Sequence, residues 1–241
     1  MANATNLSLF GYPEMPAEEQ GSHANALLGL LFEKEILYQP SYTKLVDDEY
    51  AGFWLSWFVN HCRYGESIEL QDDEILNMFG FSQSRWNNIR RLLKNAGFLK
   101  SSRKKGITSY SLNEKFFSDE AGKIVTTAPL IPVDRISAAA MLAKGLSMTD
   151  VLIFSIIRQH LSVRDLQNEE TGDYSTWQLH DADQRSKMPE WSEDTILKSI
   201  HRLYKAKLLE VVLDSDNEMI RYRINYDEYG NLTYQYVHDG V

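Results

Sequence analysis

The chain has 241 residues and a formal net charge of −9, with 43% hydrophobic and 24% charged residues. This length allows one large domain or two of roughly 100 residues each, and the composition is that of a globular protein. The single cysteine, Cys62, excludes an internal disulfide framework and suits a reducing cytosol. Residues 1–22 are polar and include Pro13 and Pro16. We expect them to form a flexible arm, and we expect neither a signal peptide nor a membrane span.

Three segments before residue 71 have recognisable patterns. Residues 23–37 (HANALLGLLFEKEIL) have the apolar spacing of an amphipathic helix, which could pack on its own domain or across a dimer. The run Glu49–Cys62 predicts a second, strongly apolar helix, whose Trp54 we expect in the core. Residues 67–70 then read as a short strand.

Two further helices are marked by their ends. Asp72 suits a helix start and Gly80 its end, while Ser82 suits the cap of a following helix that Gly97 closes. At 100° per residue, that second helix separates an apolar face from a face of amides and basic groups. The polar face comprises Gln83, Ser84, Asn87, Arg90, Arg91 and Lys94.

Residues 75–113 contain no Asp or Glu, although the chain as a whole is acidic. Because Lys and Arg that neutralise phosphates release condensed counterions, such a cluster favours a polyanionic partner. A solvated basic helix without a partner is the alternative. The window carries eight basic residues, namely Arg85, Arg90, Arg91, Lys94, Lys100, Arg103, Lys104 and Lys105.

The segments after the basic helix predict a hairpin. Residues 98–100 and 108–112 read as strands around a basic turn over 101–107. The order of elements is therefore helix, strand, helix, turn, helix and hairpin, which is the order of a winged helix. In that fold the helix after the turn can lie in a major groove, while the hairpin, called the wing, follows the DNA backbone. Arg, Lys, Asn and Gln suit base edges and phosphates. The predicted DNA-binding residues are Gln83, Ser84, Arg85, Asn87, Arg90, Arg91, Lys94, Lys100, Arg103, Lys104 and Lys105.

This order of elements occurs twice along the chain. The matches are 53–61 with 152–160 at an offset of 99, 87–99 with 198–210 at 111, and 110–113 with 222–225 at 112. We therefore predict a helix-rich α+β fold of two tandem winged helix-turn-helix domains that arose by internal duplication. The expected divisions are an arm (1–22), a first domain (23–118), a linker (119–131), a second domain (132–228) and a tail (229–241).

The two copies differ in charge. From residue 190 to 224 the second copy has six basic and seven acidic residues, and its wing carries Asp214, Asp216 and Glu218. An acidic wing repels a phosphate backbone, which favours a dimerisation or protein-docking role for this domain. A weaker DNA reader that uses only its helix is the alternative. Its DNA face would comprise Lys198, His201, Arg202 and Lys205.

The sequence offers no pattern typical of catalysis. None of the six histidines has a Cys or His neighbour at metal-ligand spacing, and no glycine-rich phosphate-binding loop occurs. Asp181, Asp183 and Glu190 lie on a polar segment without a matching carboxylate partner. We therefore expect no catalytic residues, no metal, no cofactor and no enzymatic activity.

Several segments of the two copies fit a common pattern, W…(S)xxTI…L…GLL…YRIN. They are Trp177, WSEDTI from Trp191, HRL from His201, LL from Leu208 and YRINY from Tyr222 in the second copy, with FGFSQSRWNNIRRLLKNAGFL and YSLN in the first copy. In these segments both copies resemble phage and plasmid replication proteins, the replisome organisers and replication initiators, and the resemblance covers roughly residues 40–117 and 131–228. In such initiators the C-terminal copy often leads DNA recognition, whereas here the charge favours the N-terminal copy.

The resemblance and the basic cluster together predict a double-stranded DNA-binding protein of a phage or plasmid. It would act in replication initiation or transcriptional regulation, and a replication or transcription protein could dock on its second domain. Since one winged helix reads only a short half-site, we expect a homodimer, located in the cytoplasm with the nucleoid. The alternative is a non-enzymatic tandem winged-helix scaffold that binds proteins rather than specific DNA, as accessory subunits of chromosome-condensing complexes do.

Overall fold

The computed structural model describes residues 35–62, 65–104, 107–117, 130–168, 191–214 and 219–239. Within these ranges the chain forms nine helices and seven strands, which confirms the α+β class. The first unit (residues 35–117) contains β1 (Glu35–Tyr38), α1 (Pro40–Val46), α2 (Glu49–His61), β2 (Ile68–Leu70), α3 (Asp72–Phe79), α4 (Gln83–Asn95), β3 (Leu99–Lys104), β4 (Ile107–Leu112) and α5 (Glu114–Phe117). The second unit (residues 130–239) contains β5 (Ile131–Asp134), α6 (Arg135–Ala143), α7 (Met148–Asn168), α8 (Glu193–Lys205), β6 (Leu209–Asp214), β7 (Met219–Ile224) and α9 (Tyr226–Asp239).

Each unit has an antiparallel hairpin, β3–β4 in the first and β6–β7 in the second. In the first unit β2 adds a third strand beside β4. The turn expected over 101–107 is wrong in extent, because β3 continues to Lys104 and β4 begins at Ile107. Only residues 105 and 106 remain between the strands, and they lie outside the described ranges, as do 215–218 at the second hairpin.

A two-stranded ribbon joins the units. Strand β1 pairs antiparallel with β5, and Ile36 lies opposite Val133. Both strands directly precede the first helix of their unit, so their pairing gives the junction a local two-fold character. The helix expected over 23–37 is therefore wrong for its last three residues, which lie in β1; residues 23–34 are outside the described ranges.

The core runs through both units as one cluster of buried side chains. At its centre in the first unit, Trp54 stacks on Phe58 at 4.7 Å between ring centroids and lies 5.3 Å from Trp86. Tyr110 from β4 meets the Trp54 ring edge-on at 6.2 Å. All four rings are fully buried, so Trp54 belongs to the core, as expected, and is not a platform for stacked bases.

The units also contact each other directly. Gly80, which ends α3 at φ +64°, lies so close to the Ala139 backbone on α6 that a Cβ atom would overlap the Ala139 carbonyl. The Arg135 guanidinium donates to the Met78 carbonyl oxygen at 3.1 Å. Thr149 of α7 donates to the Glu49 carboxylate at 2.6 Å across the same boundary. The two units therefore pack through specific contacts and not only through the ribbon.

Helix α9 begins at the end of the expected second domain and includes residues 229–239 of the expected tail. Its Tyr229 hydroxyl lies 2.6 Å from the Ser137 hydroxyl on α6, and the Tyr229 ring packs 5.3 Å from Phe154. Its Tyr236 hydroxyl donates to the Asn77 carbonyl oxygen on α3. This helix thus contacts both units. None of the helices in the described ranges combines the length and apolarity needed to cross a membrane.

Equivalent hydrogen bonds between serine side chains and the backbone relate the helices of the two units. Ser56 Oγ donates to the Gly52 carbonyl in α2, and Ser155 Oγ donates to the Val151 carbonyl in α7, at the expected offset of 99. The caps relate α4 to α8 at an offset of 110, because Ser82 accepts from the Arg85 N–H and Ser192 from the Thr195 N–H. The predicted offset of 111 is therefore one residue too long for these helices.

Candidate nucleic-acid interface

The local sequence accounts for both ends and the buried face of α4. The Ser82 hydroxyl accepts the Arg85 N–H at 3.3 Å and satisfies a free donor of the first turn. Gly97 adopts a left-handed φ of 75°, and the next N–H, of Phe98, bonds the Leu93 carbonyl at 2.9 Å. The buried face consists of Trp86, Ile89 and Leu93. Helix α4 is therefore held firmly with its opposite face toward solvent.

The outward face of α4 is polar and basic. Arg91 and Lys94 are exposed, and the only side-chain bond of Arg91 to a described residue is to the Asn88 amide oxygen at 2.7 Å. The Gln83 amide donates to Asn87 at 3.3 Å along the same face. Ser84, Asn87 and Gln83 are exposed as well, as the helical spacing predicted. Donors, acceptors and two cations are thus available to a ligand.

Arg90 is held inside the first unit. Its guanidinium donates to Asp72 at 3.3 Å and also donates to Asn87, and its side chain is only 24% exposed. Asp72 also accepts from the Trp86 indole N–H at 3.1 Å and the Tyr110 hydroxyl at 3.4 Å. Sequence reasoning assigned Asp72 only to a helix start, because its partners are 14 to 38 residues away. Arg90 is better suited to positioning α4 than to binding a ligand.

Arg85 is also engaged by its own chain. Its guanidinium lies 3.9 Å above the Tyr50 ring and 3.8 Å from the Asp48 carboxylate, with 39% of the side chain exposed. Asp48 caps α2 through the Ala51 N–H. Tertiary structure therefore brings two acids, Asp48 and Asp72, to a basic window that contains none in sequence. Their effect is to neutralise two of its eight cations.

The hairpin of the first unit divides its cations between two faces. Lys100, Arg103 and Lys104 are all exposed. Because side chains alternate along a strand, Arg103 shares a face with the buried Leu99, on the side that packs against α4. Lys100 and Lys104 project from the opposite face. The structure thus brings Arg103 to the helix side of the hairpin, whereas Lys105 lies outside the described ranges.

In the second unit, two of the four candidate DNA-binding residues form ion pairs. The Arg202 guanidinium donates to the fully buried Asp150 carboxylate at 2.7 to 3.0 Å, and Ser199 adds a bond of 2.6 Å. Burial alone would raise the pKa of Asp150, but the bonds from Arg202, Ser199 and Ser147 outweigh it and lower the pKa. Lys198 pairs with Asp194 at 2.6 Å. His201 and Lys205 are exposed and have no ion pair within the described part of the chain.

The corrected offset of 110 changes which α8 residues correspond to the polar face of α4. Leu197, His201 and Tyr204 of α8 take the places of Asn87, Arg91 and Lys94. Glu193 and Asp194 take the places of Gln83 and Ser84. Helix α8 thus presents an acidic and partly apolar face where α4 presents a basic one. The sequence match at 111 concealed this difference because it aligned Arg91 with Arg202.

Within the described ranges, no group of three or more His, Cys, Asp or Glu side chains could hold a metal ion. Comparison of the sequence with protein-family profiles and with curated proteins found no match.

Proposed function

We propose that the chain binds double-stranded DNA through the outward face of α4 and the β3–β4 hairpin. The observation that carries this proposal is a set of exposed cations that form no ion pair with any described residue, in a chain that is acidic overall. Such cations can neutralise phosphates, and the amides beside them can bond base edges. The set comprises Arg91, Lys94, Lys100, Arg103 and Lys104.

The arrangement supports a winged-helix reading of both units. Each has a serine-capped helix followed by a two-stranded hairpin, with equivalent bonds at the helix ends. Under this proposal the units are duplicated winged helices, the first reads DNA and the second has a different task. A role in replication initiation or transcription of a phage or plasmid, in the cytoplasm, is what the family resemblance implies. Two copies of the chain would supply the two readers of a symmetric site.

A salt series on matched variants tests the DNA-binding proposal. Arg91→Ala with Lys94→Ala should weaken binding to a mixed-sequence duplex, and should flatten the plot of log affinity against log salt by about 0.9 for each phosphate that is no longer neutralised. Lys198→Ala with Lys205→Ala removes the same charge from α8 and should leave binding nearly unchanged. Fluorescence anisotropy measures both. Unchanged binding in the first variant, or equal losses in the two, would refute the assignment.

A second candidate function is protein docking without specific DNA binding, as in a scaffold. The exposed apolar side chains of the second unit favour it, since Leu197, Tyr204 and Ile220 are 43, 48 and 54% exposed. The same salt series separates the two functions. A scaffold should show weak retention on duplex DNA and little dependence on salt, whereas a reader should show a steep slope.

A further inference from the structure

The outward surface of the second unit is apolar where that of the first is polar. On α8, Leu197 and Tyr204 are exposed on either side of His201, at the positions of Asn87 and Lys94 on α4. The buried face of α8 consists of Ile196, Ser199, Ile200 and Leu203, and helical spacing places Leu197 and Tyr204 beside it, at the margin next to Ile200. Helix α8 therefore exposes an apolar stripe that consists of Leu197 and Tyr204, with His201 between them along the helix.

The hairpin of the second unit also exposes apolar side chains. Val211 and Ile220 are 41 and 54% exposed, and by strand alternation they lie on the same face as the buried pair Leu209 and Ile224. That is the face that carries Arg103 in the first hairpin. Four large apolar side chains thus replace polar ones on the equivalent helix and hairpin, a pattern typical of a protein contact and not of a phosphate contact.

The charges of α8 indicate which partner fits. Glu193 and Asp194 are exposed at the first turn, where Asp194 pairs with Lys198 of the same helix and Glu193 forms no ion pair with a described residue, whereas Lys205 and Lys207 are exposed at or just beyond the last turn. A helix that is acidic at one end and basic at the other complements a second copy of itself in antiparallel orientation. In a two-fold pair each acidic end would lie beside the basic end of the partner, and His201 would lie near the axis.

We propose that the α8 surface, defined by Leu197, His201, Tyr204, Val211 and Ile220, joins two copies of the chain in an antiparallel, two-fold contact. This deepens the homodimer of the proposed function by naming its surface, and it does not depend on DNA. Burial of the apolar stripe would stabilise the contact, and the end charges would fix its direction. The α4 faces would remain free on the other unit of each copy.

A charge-swap experiment tests both the surface and the direction. The first variant combines Glu193→Lys with Asp194→Lys, so that both ends of α8 become basic. The second combines Lys205→Glu with Lys207→Glu, so that both ends become acidic. Wild type should be dimeric by light scattering in the micromolar range, each variant alone should dissociate at least tenfold more readily, and an equimolar mixture of the two should restore the dimer as a heterodimer.

The controls separate disruption of the surface from disruption of the fold. Leu197→Glu should give a monomer with unchanged circular dichroism, whereas Asn87→Glu at the equivalent position of α4 should leave the dimer intact. A wild-type chain that is monomeric across the micromolar range overturns the proposal, as does a mixture of the swapped variants that fails to pair. Because no DNA is present, either failure leaves the assignment of α4 as the DNA reader untouched.

Discussion

Helices α4 and α8 have the same cap residue, the same length and equivalent buried positions, yet their solvent-facing side chains differ in chemical character. The shared features lie where side chains meet the core, since packing tolerates little variation there. The outward positions are free of that constraint, so one face is basic and amide-rich, and the other carries exposed apolar side chains between an acidic first turn and a basic last turn. Two helices with the same buried positions can thus suit two kinds of partner, because partner choice depends on side chains that do not maintain the fold.

The largest expected difference in stability between equivalent substitutions in the two units concerns the glycines that end α3 and α6. Both have positive φ, 64° at Gly80 and 87° at Gly145, so alanine is strained at either position. A Cβ at Gly145 meets nothing within 4 Å, whereas one at Gly80 overlaps the Ala139 carbonyl of the other unit. We expect Gly145→Ala to cost about 1 kcal/mol and Gly80→Ala about 3 kcal/mol, because strain and overpacking add.

Urea denaturation of both variants measures this difference. The unfolding midpoint of Gly80→Ala should fall well below that of Gly145→Ala, with similar slopes if both remain two-state. Equal midpoints would mean that the contact between Gly80 and Ala139 does not constrain how the units pack.

The arginines of the two helices give the next largest contrast. Arg202 compensates a fully buried carboxylate, whereas Arg90 bonds Asp72, whose side chain is 25% exposed. Arg202→Leu should cost about 2–3 kcal/mol, less than for a fully buried pair because Arg202 itself is 44% exposed. Arg90→Leu should cost about 1 kcal/mol, since water can reach Asp72.

The pH dependence of Arg202→Leu provides the check. Because the pKa of Asp150 is lowered in the folded state, its ionised form stabilises the wild type fully above the unfolded pKa of about 3.9. That stabilisation is lost as pH falls through the still lower folded pKa. The stability gap between wild type and Arg202→Leu should therefore be largest at neutral pH and narrow below about pH 4. A gap that is constant with pH would rule out the ion pair as its source.

Local patterns in the sequence were sufficient to predict most of the helices and strands. The predictions that Ser82 caps a helix and that Gly80 ends one are confirmed. Such features depend on neighbours within a few residues, so they are readable without the tertiary structure. The hairpin was predicted too short, because Ser101 and Ser102 are weak strand formers that pair only in the context of β4.

Contacts between residues that are far apart in the sequence were harder to predict. The engagement of Arg90 by Asp72 spans 18 residues and has no sequence signature. The sequence alignment of α8 with α4 is ambiguous because Leu92 and Leu93 are adjacent. Leu203 can be matched to either one, with an offset of 111 or 110. Burial and the helix caps both decide for an offset of 110, since Leu93 and Leu203 are both fully buried and Ser82 and Ser192 cap the two helices in the same way. The offset of 111 aligns Arg91 with Arg202 and so placed Arg202 in the predicted second DNA face. In the structure Arg202 bonds Asp150 instead.

The smallest expected effect concerns the two faces of the first hairpin. Arg103 lies on the side toward α4, and the equivalent face of the second hairpin carries Val211 and Ile220. If the helix-side face contacts DNA, Arg103→Leu should weaken duplex binding severalfold and lower the salt slope by about 0.9, the effect of one phosphate contact. Lys104→Leu removes the same charge from the opposite face and should change both quantities less. Anisotropy titrations over a salt series measure the two slopes, and a larger effect of Lys104→Leu would place the DNA on the outer face of the hairpin, away from α4.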